Sequence, residues 1–226
     1  MNKNKSSARV IAFYLPQFHP VPENDKWWGK GFTEWTNVGK ARSLFPGHYQ
    51  PKVPADLGYY DLRMPEVREA QAEMARAAGI EGFCYWHYWF GNGKRLLERP
   101  FNEVLASGEP DFPFCLAWAN ESWRGFFHGI KAKETLIDQL YPGKEDYIAH
   151  FNAVLPAFKD RRYITVDDKP LFMIYHPFDN QREVNVFMKL WRELAIQNGL
   201  KGIFFVGQTY HLDDERAGLE AMSFDA

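Results

Sequence analysis

The chain has 226 residues with 27 Lys and Arg against 29 Asp and Glu, a formal charge of −2, so it lacks the basic excess that a nucleic-acid or anionic-membrane partner requires. Hydrophobic residues at 46% and charged ones at 25% exclude a disordered, collagenous or disulfide-scaffold protein. Aromatic content is high, with 19 Phe, 11 Tyr and 8 Trp, which requires either a ring-rich core or rings that serve a binding surface.

Residues 1–8 are polar and read as a disordered tail. Val10-Ile-Ala-Phe-Tyr14 is a short apolar run ended by Pro16, the pattern of a buried parallel strand. It is too short for the apolar region of a signal peptide and no small-residue cleavage site accompanies it, which predicts a cytoplasmic protein. No apolar run approaches the roughly 18 residues of a membrane span. An irregular stretch follows from Pro16 to Arg63, carrying Trp27, Trp28, Phe32 and Trp35 among polar residues; a loop of that length in a compact domain is usually functional. Pro65 then opens a helix with Val67, Ala70, Met74, Ala75 and Ala78 at helical spacing, and Gly79 ends it.

Ile80 to Trp86 is a second strand that runs into His87-Tyr88-Trp89-Phe90 and a Gly91-Asn92-Gly93 turn. Phe101, Val104 and Leu105 mark a short helix, Phe112 to Trp118 a third strand, and Lys144 to Phe158 a helix. Lys169 to Tyr175 is a fourth strand, Val184 to Asn198 a helix stopped by Gly199, Gly202 to Val206 a fifth strand, and Leu219 to Phe224 the opening of a sixth. Cys84 and Cys115 sit inside apolar strands and read as reduced core thiols. This alternation specifies an α/β chain of right-handed βαβ units on a parallel sheet. Polar and aromatic residues just after each strand specify a (β/α)8 TIM-type barrel. Eight strands close such a barrel and this chain supplies about five or six βα units, so it reads as truncated, with open edges through which it would self-associate.

Substrate contacts in such a barrel sit at the C-terminal ends of the strands. Here those exits carry Tyr14, Gln17 and His19, then Trp86 and His87, then Trp118, Asn120, Glu121 and Trp123, then Tyr175 and His176, and last Gln208. Together with Trp27, Trp28 and Trp35 of the long loop, this is the chemistry of a sugar site. Aromatic faces cover the C–H patches of a pyranose, and carboxylate, amide and imidazole groups exchange hydrogen bonds with its hydroxyls. Glu121, between Trp118 and Trp123, is the candidate acid or base, because a carboxyl among rings loses hydration and its pKa rises. Glycosidic cleavage normally uses two facing carboxyls, and Asp25 and Glu34 of the long loop are the ones placed to approach. His19, His87 and His176 follow different strands, but no metal-ligand spacing accompanies them, so neither a metal nor another cofactor is predicted. Phosphate-binding glycine loops are also missing from the sequence.

Phe13-Tyr-Leu-Pro-Gln-Phe-His-Pro20, the long Glu23 to Val38 segment with Trp27-Trp28-Gly-Lys-Gly-Phe-Thr-Glu-Trp35, Gly82-Phe-Cys-Tyr-Trp-His-Tyr-Trp-Phe90 and Trp118-Ala-Asn-Glu121 closely resemble the WbsX-like family. That family is labelled a polysaccharide-biosynthesis glycosyltransferase and is similar to glycoside hydrolase family 99, the endo-α-mannosidases. The resemblance implies a (β/α)8 barrel that acts on a glycan without a metal cofactor, by a retaining route in which the sugar's own 2-hydroxyl is the nucleophile. It also implies a catalytic carboxylate pair in an Asn-Glu-Trp-x-Glu-Gly motif that this sequence does not contain; Thr33-Glu34-Trp35-Thr36 is a superficial echo. Residues 9–226 therefore read as a partial family-99-like domain of polysaccharide metabolism, O-antigen or other cell-surface glycan included. It would act on an oligosaccharide or polysaccharide by hydrolysis or transglycosylation and hold sugar-binding surface without the catalytic pair. The alternatives are a glycosyltransferase of lipopolysaccharide biosynthesis and a non-catalytic carbohydrate-binding protein.

Overall fold

The computed structural model describes residues 8–125 and 135–226, so the N-terminal tail up to residue 7 lies outside the described residues. The chain begins with β1 (Ile11–Tyr14) and continues through two short helices, α1 (Pro22–Trp28) and α2 (Glu34–Lys40), to the longer α3 (Pro65–Ala77). β2 (Gly82–Trp89) turns back onto the two-residue β3 (Arg95–Leu96), and α4 (Arg99–Ser107) leads to β4 (Phe114–Trp118). A small hairpin, β5 (Trp123–Arg124) with β6 (Thr135–Ile137), precedes α5 (Lys144–Phe158). β7 (Thr165–Val166) folds back on β8 (Lys169–Ile174), then come α6 (Gln181–Gln197), β9 (Phe204–Gly207) and α7 (Leu212–Ala221).

Two expectations need correction. The first loop is not irregular throughout: Pro22 occupies the first turn of α1 and Thr33 caps α2, accepting from Trp35 N while Thr36 accepts from Thr33 N. The segment read as the opening of a sixth strand at Leu219 belongs instead to α7, whose first turn carries Asp213, Asp214 and Glu215. Strand-like pairing starts only at the last residues, where Gly207 N donates to Ala226 O at 2.9 Å and Ala226 N to Phe205 O at 3.3 Å, in parallel register with β9.

β1, β2, β4, β8 and β9 pair in that order, all parallel. With the helices between them they form five successive βα units of an open barrel, and β1 and β9 are its edges. Registration aligns alternate residues into two faces. Tyr14, Tyr85, His87, Leu116, Trp118, Phe172, Ile174 and Phe205 point outward and are buried under the helices. Phe13, Trp86, Met173, Tyr175 and Val206 point inward, where a closed barrel would have its axis, and are only partly covered. Cys84 and Cys115, opposite each other on β2 and β4, are buried free thiols.

The core lies between the outward face and α3 to α6. α6 brings Val184, Phe187, Met188, Trp191 and Ala195 to one side, the i, i+3, i+4 stripe of a half-buried helix. Trp191 is wholly buried; its ring meets Phe187 at 4.2 Å and Phe172 at 4.8 Å, and its Nε1 donates to Tyr147 O of α5. Truncating such a ring costs about 3–5 kcal/mol. Most of the surplus aromatics are thus core material, and a minority are left for the strand ends.

Candidate functional site

At the C-terminal ends of the strands lies a cleft of about 190 Å³ lined by Gln17, Trp28, Tyr88, Glu121, Ser122, Trp123, Arg124 and Leu136. Four segments build it. Gln17 follows β1, Trp28 ends α1, Tyr88 lies next to last on β2, and Glu121 to Arg124 follow β4 into the β5–β6 hairpin. The hairpin holds Trp123 upright, with Tyr88, Phe90 and Trp27 against it nearly edge-on at 5.2, 5.8 and 6.0 Å. Such T-shaped contacts fix a ring's orientation, and here they leave the partly exposed Trp123 facing the cleft.

Glu121 is positioned from beneath. Asn120 is buried and ties the end of β4 to that of β8: its Nδ2 donates to His176 O and Tyr141 Oη, and its Oδ1 accepts from His176 N, at 2.8–3.0 Å. His176 so placed brings its Nε2 to 3.4 Å from Glu121 Oε2. Burial raises the Glu121 pKa, and the His176 imidazole offsets part of that rise. Glu34, at the first turn of α2, is also raised by burial. Glu121 and Glu34 both oppose ionisation of the Tyr88 phenol, whose pKa burial alone already pushes up. Two carboxyls whose pKa values burial raises therefore both act on Tyr88.

From His176 an aromatic strip crosses the inward face. Tyr175 packs on His176 at 4.0 Å and on Trp86 at 5.1 Å, and Trp86 stacks on Phe13 at 4.9 Å with planes 5° from parallel. Tyr175 Oη and Tyr210 Oη are 2.9 Å apart, and Gln208 Nε2 donates to Tyr210 Oη at 3.4 Å. Of the residues singled out in the sequence, the structure brings Gln17, Trp27, Trp28, Asn120, Glu121, Trp123, Trp86, Tyr175, His176 and Gln208 to this end of the sheet.

It does not bring the others. Trp118 points outward: it is 1% exposed, packs on Phe187 of α6 at 4.8 Å and donates its Nε1 to Trp89 O. His87, the register partner of Trp118 on β2, also faces out and meets His150 of α5 Nε2 to Nε2 at 2.7 Å. Tyr14 lies under α3 with its hydroxyl on Gln71 Oε1. Trp35 belongs to a separate cluster with Phe18, Tyr59 and Tyr60 and donates to Tyr60 O. His19 is buried beside a different cleft. Asp25 accepts from Gly31 N and serves the turn after α1. His19, His87 and His176 thus occupy three separate environments, and among the described residues no His, Cys, Asp and Glu group of metal-ligand type is found. Tyr88, Ser122, Arg124, Phe13 and Tyr210 were missed. Tyr88 and Phe13 share the sheet face of Trp86, but both faces of these strands are apolar and no alternation marked which one points inward.

The sequence profile of the family described as Glycosyltransferase WbsX matches residues 10–226. Two curated relatives, both the uncharacterized protein WxcX of Xanthomonas campestris pv. campestris strains, are 43% identical over 221 residues, 97% of this chain; the chain spans 30% of their length. Among solved structures, the GH99 endo-alpha-mannosidase from Bacteroides thetaiotaomicron aligns with a TM-score of 0.56 at 15% identity, over 96% of this chain and 60% of that one. A second structure of that enzyme, with bis-tris-propane bound, gives 0.53 at 17%. At such identities the likeness is one of fold.

Proposed function

The chain belongs to the Glycosyltransferase WbsX family, and on that premise we propose that it provides substrate-binding surface in a barrel that acts on the glycosidic bonds of an oligosaccharide or polysaccharide. The observation that carries this reading is the cleft in which Trp28, Tyr88 and Trp123 surround a half-buried Glu121. The rings cover C–H patches of a sugar, and Gln17, Ser122 and Glu121 exchange hydrogen bonds with its hydroxyls. Glu121, steadied by His176, acts as a charge-assisted acceptor worth about 1.5–3 kcal/mol, roughly twice a neutral bond. The strip from Tyr175 to Phe13 carries further sugar units along the inward face.

Hydrolysis or transglycosylation fits this cleft, and the fold it shares with an endo-alpha-mannosidase supports that choice. This reading gives Glu121 a binding role and leaves proton transfer to the carboxylate pair of the Asn-Glu-Trp-x-Glu-Gly motif, which this sequence does not contain. Transfer from an activated donor, as the family's description reads, would use the same cleft, and a non-catalytic binder would use it without proton movement. The test is titration of the chain with neutral oligosaccharides. Glu121→Gln should weaken binding about fivefold to tenfold, the loss of charge assistance, and leave no activity to lose. Unchanged affinity in Glu121→Gln overturns the assignment. Bond cleavage by this chain alone that Glu121→Gln abolishes at constant KM would make Glu121 a catalytic carboxyl, with Glu34 its natural partner.

A further inference from the structure

A second cleft, of about 260 Å³, opens between the start of α1 and the turn from β3 into α4, and shares no lining residue with the aromatic one. Two of its lining side chains carry unsatisfied polar atoms. His19 lines it at 1% exposure, and neither ring nitrogen makes a well-formed hydrogen bond; the Pro16 carbonyl lies near the ring, and the Asp61 carboxylate, itself paired with Arg63, acts on it from farther off. Arg95 lines it with its Nε buried and without a partner. Among the described residues its guanidinium has no carboxylate at ion-pair distance; it donates once, to Asn102 Oδ1 at 3.2 Å. α4 starts on the same wall with no side chain capping its first turn, after Leu97 turns the backbone at a φ of 60°.

The charges here do not cancel. Glu23 on the rim is held by Lys94 at 2.5 Å, and Glu103 is shared between Arg68 and Arg99 at 2.9 and 2.7 Å. Glu98 is the carboxylate that acts on Arg95 from a distance. Lys94, Arg95, Arg68 and Arg99 thus face Glu23, Glu98 and Glu103, which leaves one positive charge over. A half-buried guanidinium whose Nε is closed off from water without a partner carries a desolvation cost, and an uncapped helix start adds positive potential in the same place.

We propose that this cleft binds one small oxyanion, a carboxylate, sulfate or phosphate, between the Arg95 and Arg99 guanidiniums, the His19 imidazole and the first turn of α4. The anion is either the acidic substituent of a saccharide, a source that rests on the glycan reading above, or a free inorganic ion. The experiment follows thermal stability and calorimetric binding of the chain at fixed ionic strength with inorganic phosphate, methyl glucuronide and, as the neutral control, methyl glucoside. Phosphate should raise the Tm saturably and methyl glucoside should not. A parallel response to methyl glucuronide assigns the anion to a saccharide, and its absence assigns it to a free ion. Arg95→Gln should weaken anion binding tenfold or more, and in anion-free buffer it should itself raise the Tm by removing the uncompensated charge. Arg99→Gln, on an exposed side chain, should weaken binding in the same direction, while Arg161→Gln, in a remote exposed pair with Asp111, should leave it unchanged. No saturable response to phosphate or glucuronide overturns the proposal, and so does a response that survives in Arg95→Gln. Failure here leaves the aromatic cleft untouched, because its variants are read on neutral oligosaccharides.

Discussion

His87 and His150 meet Nε2 to Nε2 at 2.7 Å, under a layer of Trp89, Trp118 and Trp191 rings that keeps water out. One nitrogen must donate and the other accept, so the pair holds together with both imidazoles neutral. Burial pushes the His87 pKa down to about 3 and that of His150 well below its ordinary value, with repulsion from Arg95 adding to both.

The sign of the consequence follows from linkage. Imidazoles of the unfolded chain take up protons near pH 6.5, whereas in the folded chain His87 resists until about 3 and His150 is likewise held well below its ordinary value by burial. Stability is therefore full above pH 6.5 and falls between there and about 3, by about 1.4 kcal/mol per pH unit for each imidazole. Urea unfolding from pH 7.5 to 5.5 should show this ahead of most carboxylate titration. A midpoint that stays flat across that range would contradict it, and a His87→Leu, His150→Phe double variant should flatten it.

Much of this arrangement could be read from residues alone, and some could not. α6 was legible because Phe187, Leu190, Trp191 and Leu194 recur on one side of a long helix; Phe187 and Trp191 are wholly buried, and Leu190 and Leu194 pack partly buried against the core. The faces of β2 and β4 were not, because both sides are apolar: Trp86 and His87, or Ala117 and Trp118, give no alternation to say which points inward. That is why Trp118 and His87 were placed at the site and Tyr88 was not. α2 carried a readable signal in Thr33 and Thr36, but its buried side is too small to register as periodicity. The Asn120 bridge to His176 spans 56 residues and has no local trace.

Trp123→Ala should weaken binding of a neutral oligosaccharide about tenfold, the loss of one ring's contact at about 1–2 kcal/mol. Trp35→Ala, which leaves the cleft alone, should lower stability and leave affinity within about twofold. Calorimetric titration of both variants checks the pair; equal losses of affinity would mean that the two tryptophans share one site after all.

Gly82 opens β2 where an added Cβ would lie 2.4 Å from Pro113 O. Since that carbonyl accepts from Phe83 N at 2.9 Å, it cannot retreat without breaking the β2–β4 ladder. Gly82→Ala should cost about 3 kcal/mol, at the upper end for overpacking, in chemical denaturation. A loss below 1 kcal/mol would show that the strands part more easily than the register implies.

β1 is an open edge, and beside it Phe13 is 50% exposed on the inward face. An unpaired edge next to an apolar face favours association, so sedimentation velocity should show dimers or larger species at micromolar concentration, and Phe13→Glu should shift them towards monomer. A monomeric wild-type chain would remove this expectation.

The unequal cover of the two sheet faces sets how this sequence can drift. Phe172 and Ile174 are closed in by helices, while Met173 between them and Tyr175 after them are only partly covered. In a scan of every substitution along β8, tolerance should therefore rise and fall with each residue, the odd positions accepting polar side chains that the even ones refuse. A lineage could rewrite what lies along the inward face one alternate residue at a time while the packing that holds the strands stays untouched.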